Sequence, residues 1–305
     1  MSRSISHDQR NIAFREAFFS AEHAKKRAQK TSVVVEARAK DLGLEHQVEA
    51  VPDSRGAKLH WLGDRGSEKV ILYFHGGGYG LPAFDGHILF LGQCLARCAS
   101  AKGRKNVATK FPGQLLQATE ALRLLLSSDY KPSEIVVGGD SAGGNLSIAL
   151  ISHILHPFVG IPSLSLEAPL GGLLLISPWV SFGTETQSFR DNELRDIFPV
   201  STMSQLATEF VGKGGERNNW SEPFLASTSW WNNVPVRKIL NVWGALEMFR
   251  DHIATFGQRL QMAGNSINNV ECPMQVHIDC ILDAQTGLEP GPMSVKIWEW
   301  LLEVL

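Results

Sequence analysis

Residues 133–150 constrain the fold of this chain more than any other stretch. Ile135, Val136 and Val137 form a short apolar run, Leu146 to Leu150 continue as an apolar helix, and only Gly138-Gly139-Asp140-Ser141-Ala142-Gly143-Gly144-Asn145 stands between them. A buried strand that passes at once into a buried helix needs a turn so sharp that the two backbones nearly touch. Glycines on both sides permit this because they carry no Cβ. The residue at the apex is then held in a strained conformation with its side chain presented outward. That residue is Ser141, inside G-x-S-x-G; the alternative is a glycine-rich turn in which Ser141 only caps the following helix.

The flanking pattern decides what surrounds the turn. Residues 46–51 and 57–62 alternate like antiparallel strands around a Pro-Asp-Ser-Arg-Gly turn, whereas 69–74 is continuously apolar, as in a central strand covered on both faces. Helices are expected over 86–99, 113–127, 248–263 and 292–304, and further strands over 172–176, 238–243 and 274–278. Strands that alternate with helices predict an α/β fold with a mainly parallel sheet. Residues 8–30 and 32–42 read as two polar, alanine-rich helical stretches, the first carrying Ile12, Phe14, Phe18 and Phe19. The expected organisation is an N-terminal helical arm or lid over 1–44 and an α/β domain over 45–305, with a lid insertion at about 182–233. A chain of 305 residues with 44% hydrophobic content can bury such a core.

Charge excludes several classes of partner. Lys+Arg 29 against Asp+Glu 31 leaves a net charge of −2, with no field to attract nucleic acid or an anionic membrane. The first ten residues lack the apolar core of a secretory signal, and no apolar run reaches bilayer length, so a cytoplasmic protein with a small, largely uncharged ligand is expected. Cys94, Cys98, Cys272 and Cys280 lack metal-knuckle spacing and read as free buried thiols, with no metal implied.

The strand ending at Phe74 runs into His75-Gly76-Gly77-Gly78-Tyr79-Gly80, whose unshielded backbone N–H groups suit a developing oxyanion. A serine becomes a nucleophile only beside a base, and the base needs an acid to orient it; both should follow the serine, at the ends of later strands. His277, within Met274-Gln275-Val276-His277-Ile278, has that placement; His153, His156 and His252 do not. Glu247 lies in the loop after the 238–243 strand and is preferred as the acid, whereas Asp251 should cap the next helix or pair with Arg250.

H-G-G-G, G-D-S-A-G-G and the G-x-x-E-x-x-R-D segment at 244–251 together resemble the hormone-sensitive lipase-type family of α/β-hydrolases, close to its fungal esterase members. The resemblance runs from about residue 69 to the end and is helped by Ser177-Pro178-Trp179-Val180 and Trp230-Trp231. It implies an α/β-hydrolase fold and a cofactor-free serine carboxylesterase or acetyl-esterase of small apolar esters, in fungal secondary-metabolite (polyketide-type) biosynthesis. It further implies Ser141, Glu247 and His277 as the triad and the N–H groups of Gly77, Gly78 and Ala142 as the oxyanion hole. His75, Gly76, Gly139, Asp140 and Gly143 support the motifs. An alternative is an altered or inactive relative that binds, cyclises or steers a biosynthetic intermediate. Lid aromatics Phe182, Phe189, Phe198, Phe210, Trp220 and Phe224 suit an apolar ligand, although half or more should be lid core. The chain departs from the family at 100–110, a polar, lysine-rich piece where a buried strand is expected. The reading there is a missing central strand, from lost coding sequence, degradation or a rebuilt sheet.

Overall fold

The computed structural model describes residues 5–98, 102–105, 111–128, 130–212 and 215–305. Three helices come first, α1 (Ile5–Ala17), α2 (Ala21–Arg27) and α3 (Thr31–Asp41), followed by strands β1 (His46–Ala50), β2 (Lys58–Leu62) and β3 (Val70–Phe74). Helix α4 (Asp85–Cys98) leads to β4 (Lys102–Lys105), α5 (Gly113–Leu126), β5 (Ile135–Asp140), α6 (Ala142–Leu155) and β6 (Gly172–Ile176). Short helices α7 (Gln187–Asn192) and α8 (Val200–Val211) precede β7 (Ile239–Gly244), α9 (Arg250–Met262), β8 (Ile267–Cys272), α10 (Asp279–Thr286) and α11 (Pro292–Val304).

The strands form one eight-stranded sheet in the order β1-β2-β4-β3-β5-β6-β7-β8. Neighbours from β4 to β8 run parallel, and the β1–β2 hairpin joins antiparallel at one edge. Every residue of β3, β5, β6 and β7 is buried, because helices cover both faces and the apolar runs have no solvent side to keep polar. The register Phe74↔Gly139 and Asp140↔Ile176 aligns the carboxyl ends of β3, β5 and β6, so the loops leaving them converge on one rim. Ligands of open parallel sheets bind at that rim.

Three expectations are corrected. The position between β2 and β3 is not vacant: β4 fills it, pairing Leu72↔Lys102 through Phe74↔Arg104 on one side and Lys58↔Lys105 through His60↔Gly103 on the other. Two flanking strands expose backbone donors and acceptors that must be paired, and that demand outweighs the poor strand propensity of Lys-Gly-Arg-Lys. The rest of 99–110 lies outside the described residues. The last strand is 267–272 rather than 274–278: β8 is an edge strand, half exposed, and therefore polar in sequence, whereas 274–278 is an irregular, largely buried loop. The long helix expected over 8–30 breaks at Ser20, whose Oγ caps α2 by accepting from His23 N at 3.1 Å.

Helices α1 and α2 and the 187–211 segment are tied to each other across the rim. Thr202 Oγ1 donates to the carbonyls of Phe18 and Phe19 at 3.0 Å, and Arg15 Nη1 to those of Asp196 and Phe198 at 3.2 and 3.0 Å. Arg10 of α1 is buried against α10, where its guanidinium binds Asp279 at 2.9 Å and also Asp283. Among the described residues no helix is long and apolar enough to cross a membrane.

Candidate active site

At the end of β5 the chain turns as the glycine pattern requires. Ser141 sits at φ 53°, ψ −119°, a conformation that side-chain-bearing residues rarely adopt, and its N–H donates to Ile176 O at 2.9 Å while its carbonyl accepts from Trp179 N and Asn145 N. Helix α6 presses so closely on β3 that a Cβ at Gly143 would stand 1.8 Å from Phe74 O. The strained serine is thus clamped between two buried strands and a helix whose first twelve residues are all buried.

The loop after β3 forms the adjoining wall. Gly77, at φ 108°, could not carry a side chain, since its Cβ would lie 2.7 Å from Leu81 O. Among the described residues the N–H groups of Gly77, Gly78 and Ala142 donate to no acceptor in the protein. Asp140, the motif residue beside the serine, ties this loop to the turn: its Oδ1 accepts from Gly76 N at 3.0 Å and from the Tyr73 hydroxyl at 2.8 Å, and its Oδ2 faces His87 Nε2 at 3.4 Å. Burial opposes its ionisation, yet His87 and the Tyr73 hydroxyl hold it below the usual carboxylate range. His75 donates through Nδ1 to Gly76 O at 2.6 Å; burial, with His87 adjacent, pushes its pKa down to about 4, so it is a neutral structural residue.

The loops after β7 and β8 bring the acid and the histidine together. Glu247 Oε2 accepts from His277 Nδ1 at 2.8 Å, both side chains being buried. Its Oε1 accepts from Gly244 N at 2.7 Å and from Ser177 Oγ at 3.1 Å. Ser177 also accepts from Ile278 N at 3.1 Å and so bridges the two loops. Phe198 and Phe249 present ring edges to the imidazole at centroid distances of 5.0 and 5.1 Å, which fixes its plane. Burial by itself disfavours the His277 cation, but the hydrogen bond and charge of Glu247, with Asp196 and Asp140 behind it, carry its pKa above the ordinary value. Burial pushes the Glu247 carboxyl up as well, held back by His277 and Gly244 N.

Ser141, His277, Gly77 and Gly78 line one cavity of about 500 Å³, roofed by Phe14, Phe18 and Arg27 of the N-terminal helices and by Phe198, Met203 and Leu206 of the 187–211 segment. Among the described residues no hydrogen bond joins Ser141 Oγ to His277, whose side-chain partner is Glu247. The rejected histidines have other partners: His153 holds Phe158 N at 2.9 Å, His156 meets Trp230 O, and His252 faces Glu185. Asp251 pairs with Arg250 at 2.9 Å, as its position in the sequence implies. Of the six lid aromatics expected to suit a ligand, only Phe198 lines the cavity; the other aromatic lining residues are Phe14, Phe18 and Phe84. Cys94, Cys272 and Cys280 are buried, and the Cys272 and Cys280 thiols are free. The one group of potential metal ligands among the described residues, His7, Asp279 and Asp283, already holds the Arg10 guanidinium.

Three residues that sequence reasoning passed over complete the site. Ser188 Oγ donates to Met248 O at 2.6 Å, Asn192 Nδ2 to Glu247 O at 3.1 Å, and Asp196 accepts from Met248 N at 2.8 Å and His277 N at 3.2 Å. Their regular four-residue spacing, polar side chains on one side of a short helix and its extension, was the available signal.

Comparison with known proteins agrees with this architecture. Over 216 residues, 69% of this chain and 68% of the other, the sequence is 24% identical to an acetyl-hydrolase of Streptomyces hygroscopicus. Over 94 residues, 30% of each chain, it is 41% identical to the versiconal hemiacetal acetate esterase of Aspergillus parasiticus. An esterase of the bacterial hormone-sensitive lipase family superposes with a TM-score of 0.74 at 21% identity, covering 100% of this chain and 99% of its own. A thermostable esterase from Pseudomonas putida ECU1011 reaches 0.77 at 19% identity with the same coverage. Residues 71–280 match the family described as alpha/beta hydrolase fold, and to that family the chain belongs.

Proposed function

We propose that this α/β hydrolase cleaves carboxylic esters by a serine mechanism, with Ser141 as nucleophile, His277 as general base and Glu247 as the acid that orients it. One observation carries the reading: a serine strained at φ 53° shares a cavity with a histidine whose far nitrogen is bound to a buried carboxylate at 2.8 Å. With Nδ1–H given to Glu247, neutral His277 keeps Nε2 free to take the Ser141 proton as Oγ attacks the ester carbonyl. The N–H groups of Gly77, Gly78 and Ala142 receive the oxyanion, His277 returns the proton to the departing alcohol, and water repeats the sequence on the acyl-enzyme.

The substrate side follows from the walls. A mostly apolar cavity of about 500 Å³, lined by four phenylalanines, suits a short acyl group on a bulky apolar alcohol. Acetyl esters are favoured by the names of the acetyl-hydrolase and acetate-esterase relatives, and a place in polyketide-type secondary metabolism by the second of them. Helices α1–α3 and the 187–211 segment serve as the lid. Incubation with a fluorophosphonate and assay on p-nitrophenyl acetate test the reading: the expected result is covalent labelling and hydrolysis, both abolished in folded Ser141→Ala, with at least about a 10⁴-fold loss of kcat/KM. Labelling that persists in Ser141→Ala, or folded wild type that neither labels nor hydrolyses, overturns it.

A further inference from the structure

Asp196 is 1% exposed, and among the described residues no lysine or arginine side chain reaches its carboxylate. Its three bonds come from main chain: Oδ1 accepts from Ile197 N at 2.9 Å and His277 N at 3.2 Å, and Oδ2 from Met248 N at 2.8 Å. An unpaired buried anion is costly to the fold unless something offsets it. A neutral asparagine could not take its place without loss, since one of its two head atoms is a donor and would face an N–H. The cation to which its charge couples is the His277 imidazolium.

We propose that Asp196 is a positioning residue for the serine reaction, clamping the main chain of the base and of the residue after the acid and facing the imidazolium with a second negative charge. The proposal rests on the triad assigned above. Clamping His277 N and Met248 N by one carboxylate fixes the separation of two loops that leave different strands, and with it the Glu247–His277 bond. Other charged groups around the imidazole are Glu247 in the β7–α9 loop, Asp140 at the end of β5 and, lining the same cavity, Arg27 of α2 and Asp85 of α4. Asp279, two residues further on at the start of α10, binds Arg10, and Arg15 reaches Asp196 at its main-chain carbonyl. Burial raises the Asp196 pKa, opposed first by the charge of His277, in keeping with a carboxylate whose anion is favoured when the imidazole is protonated.

The experiment compares wild type, Asp196→Asn and Asn192→Ala. In folded Asp196→Asn, kcat falls about 10- to 100-fold because one clamp bond becomes a donor–donor contact. Its acidic limb moves to lower pH by about one unit, since a lost anion disfavours the imidazolium. Asn192→Ala, which removes a loop contact but no charge, lowers kcat less and leaves the limb in place. An acidic limb unmoved in Asp196→Asn overturns the proposal. Direct NMR titration of the His277 ring in wild type and Asp196→Asn reads the same shift without turnover, so it decides the matter even if the esterase reading fails. Should Asp196→Asn not fold, the Asp196 carboxyl ¹³C resonance of the wild type must respond to His277 ionisation; a resonance blind to it overturns the proposal.

Discussion

The floor and the roof of the cavity are built by different means. The floor, made of the loops that leave β3, β5, β7 and β8, is fixed by backbone: a Cβ at Gly143 has no room, Ser141 is held at positive φ, and Gly77 and Gly78, also at positive φ, line the cavity. The roof, made of α1, α2 and the 187–211 segment, is fixed by side chains, namely Phe14, Phe18, Phe198, Met203 and Leu206. Backbone constraints admit few substitutions, whereas apolar side chains of similar volume exchange at modest cost. On the proposed mechanism the floor sets which reaction is possible, and the roof which ester is accepted.

Substitutions can break this contrast. The largest effect is expected from Glu247→Gln, whose amide would donate to His277 Nδ1 and force the wrong tautomer; kcat should fall about 10³- to 10⁴-fold with little change in KM. The pH profile sharpens the same point. Because the raised pKa of His277 depends on the Glu247 anion, wild-type kcat should rise with pH through a value above 6.5, and the residual activity of Glu247→Gln should show that limb displaced to lower pH. Gly143→Ala comes next: a Cβ 1.8 Å from Phe74 O must displace α6 from β3, a cost above about 4 kcal/mol that denaturant unfolding would register, if the variant accumulates at all. Smallest is Phe18→Ala in the roof, expected to raise KM for bulky apolar esters about 3- to 10-fold while leaving kcat on p-nitrophenyl acetate near wild type. A Phe18→Ala variant that loses kcat instead would show that roof and floor are not separable.

The same division explains what was legible in the residues alone. The Ser141 turn and the H-G-G-G loop are local devices, written in consecutive glycines, and the proposed acid and base, Glu247 and His277, are placed by the loops after later strands. Strand β4 was not legible, because its pairing is demanded by neighbours distant in sequence while its own residues are polar. Residues 274–278 imitate a strand because the loop carrying His277 is largely buried, whereas the true edge strand, with Asn268, Asn269 and Glu271, imitates a loop. Asp196 escaped notice because it lies in an irregular segment and acts through main-chain N–H groups of residues 52 and 81 positions away. The aromatic wall was assigned to the insertion, yet much of it belongs to Phe14 and Phe18, whose helical spacing gives no hint of which surface they will cover.

The buried ion pairs of Arg10 also bear on how the molecule comes into being. Arg10 is synthesised long before its acids, Asp279 and Asp283, with 273 positions separating Arg10 from Asp283. The Arg10 pairs that anchor helix α1 cannot form until β8, the last strand of the sheet, has been synthesised. Anchoring of α1 by Arg10 is thus a long-range event that comes late relative to the making of the sheet.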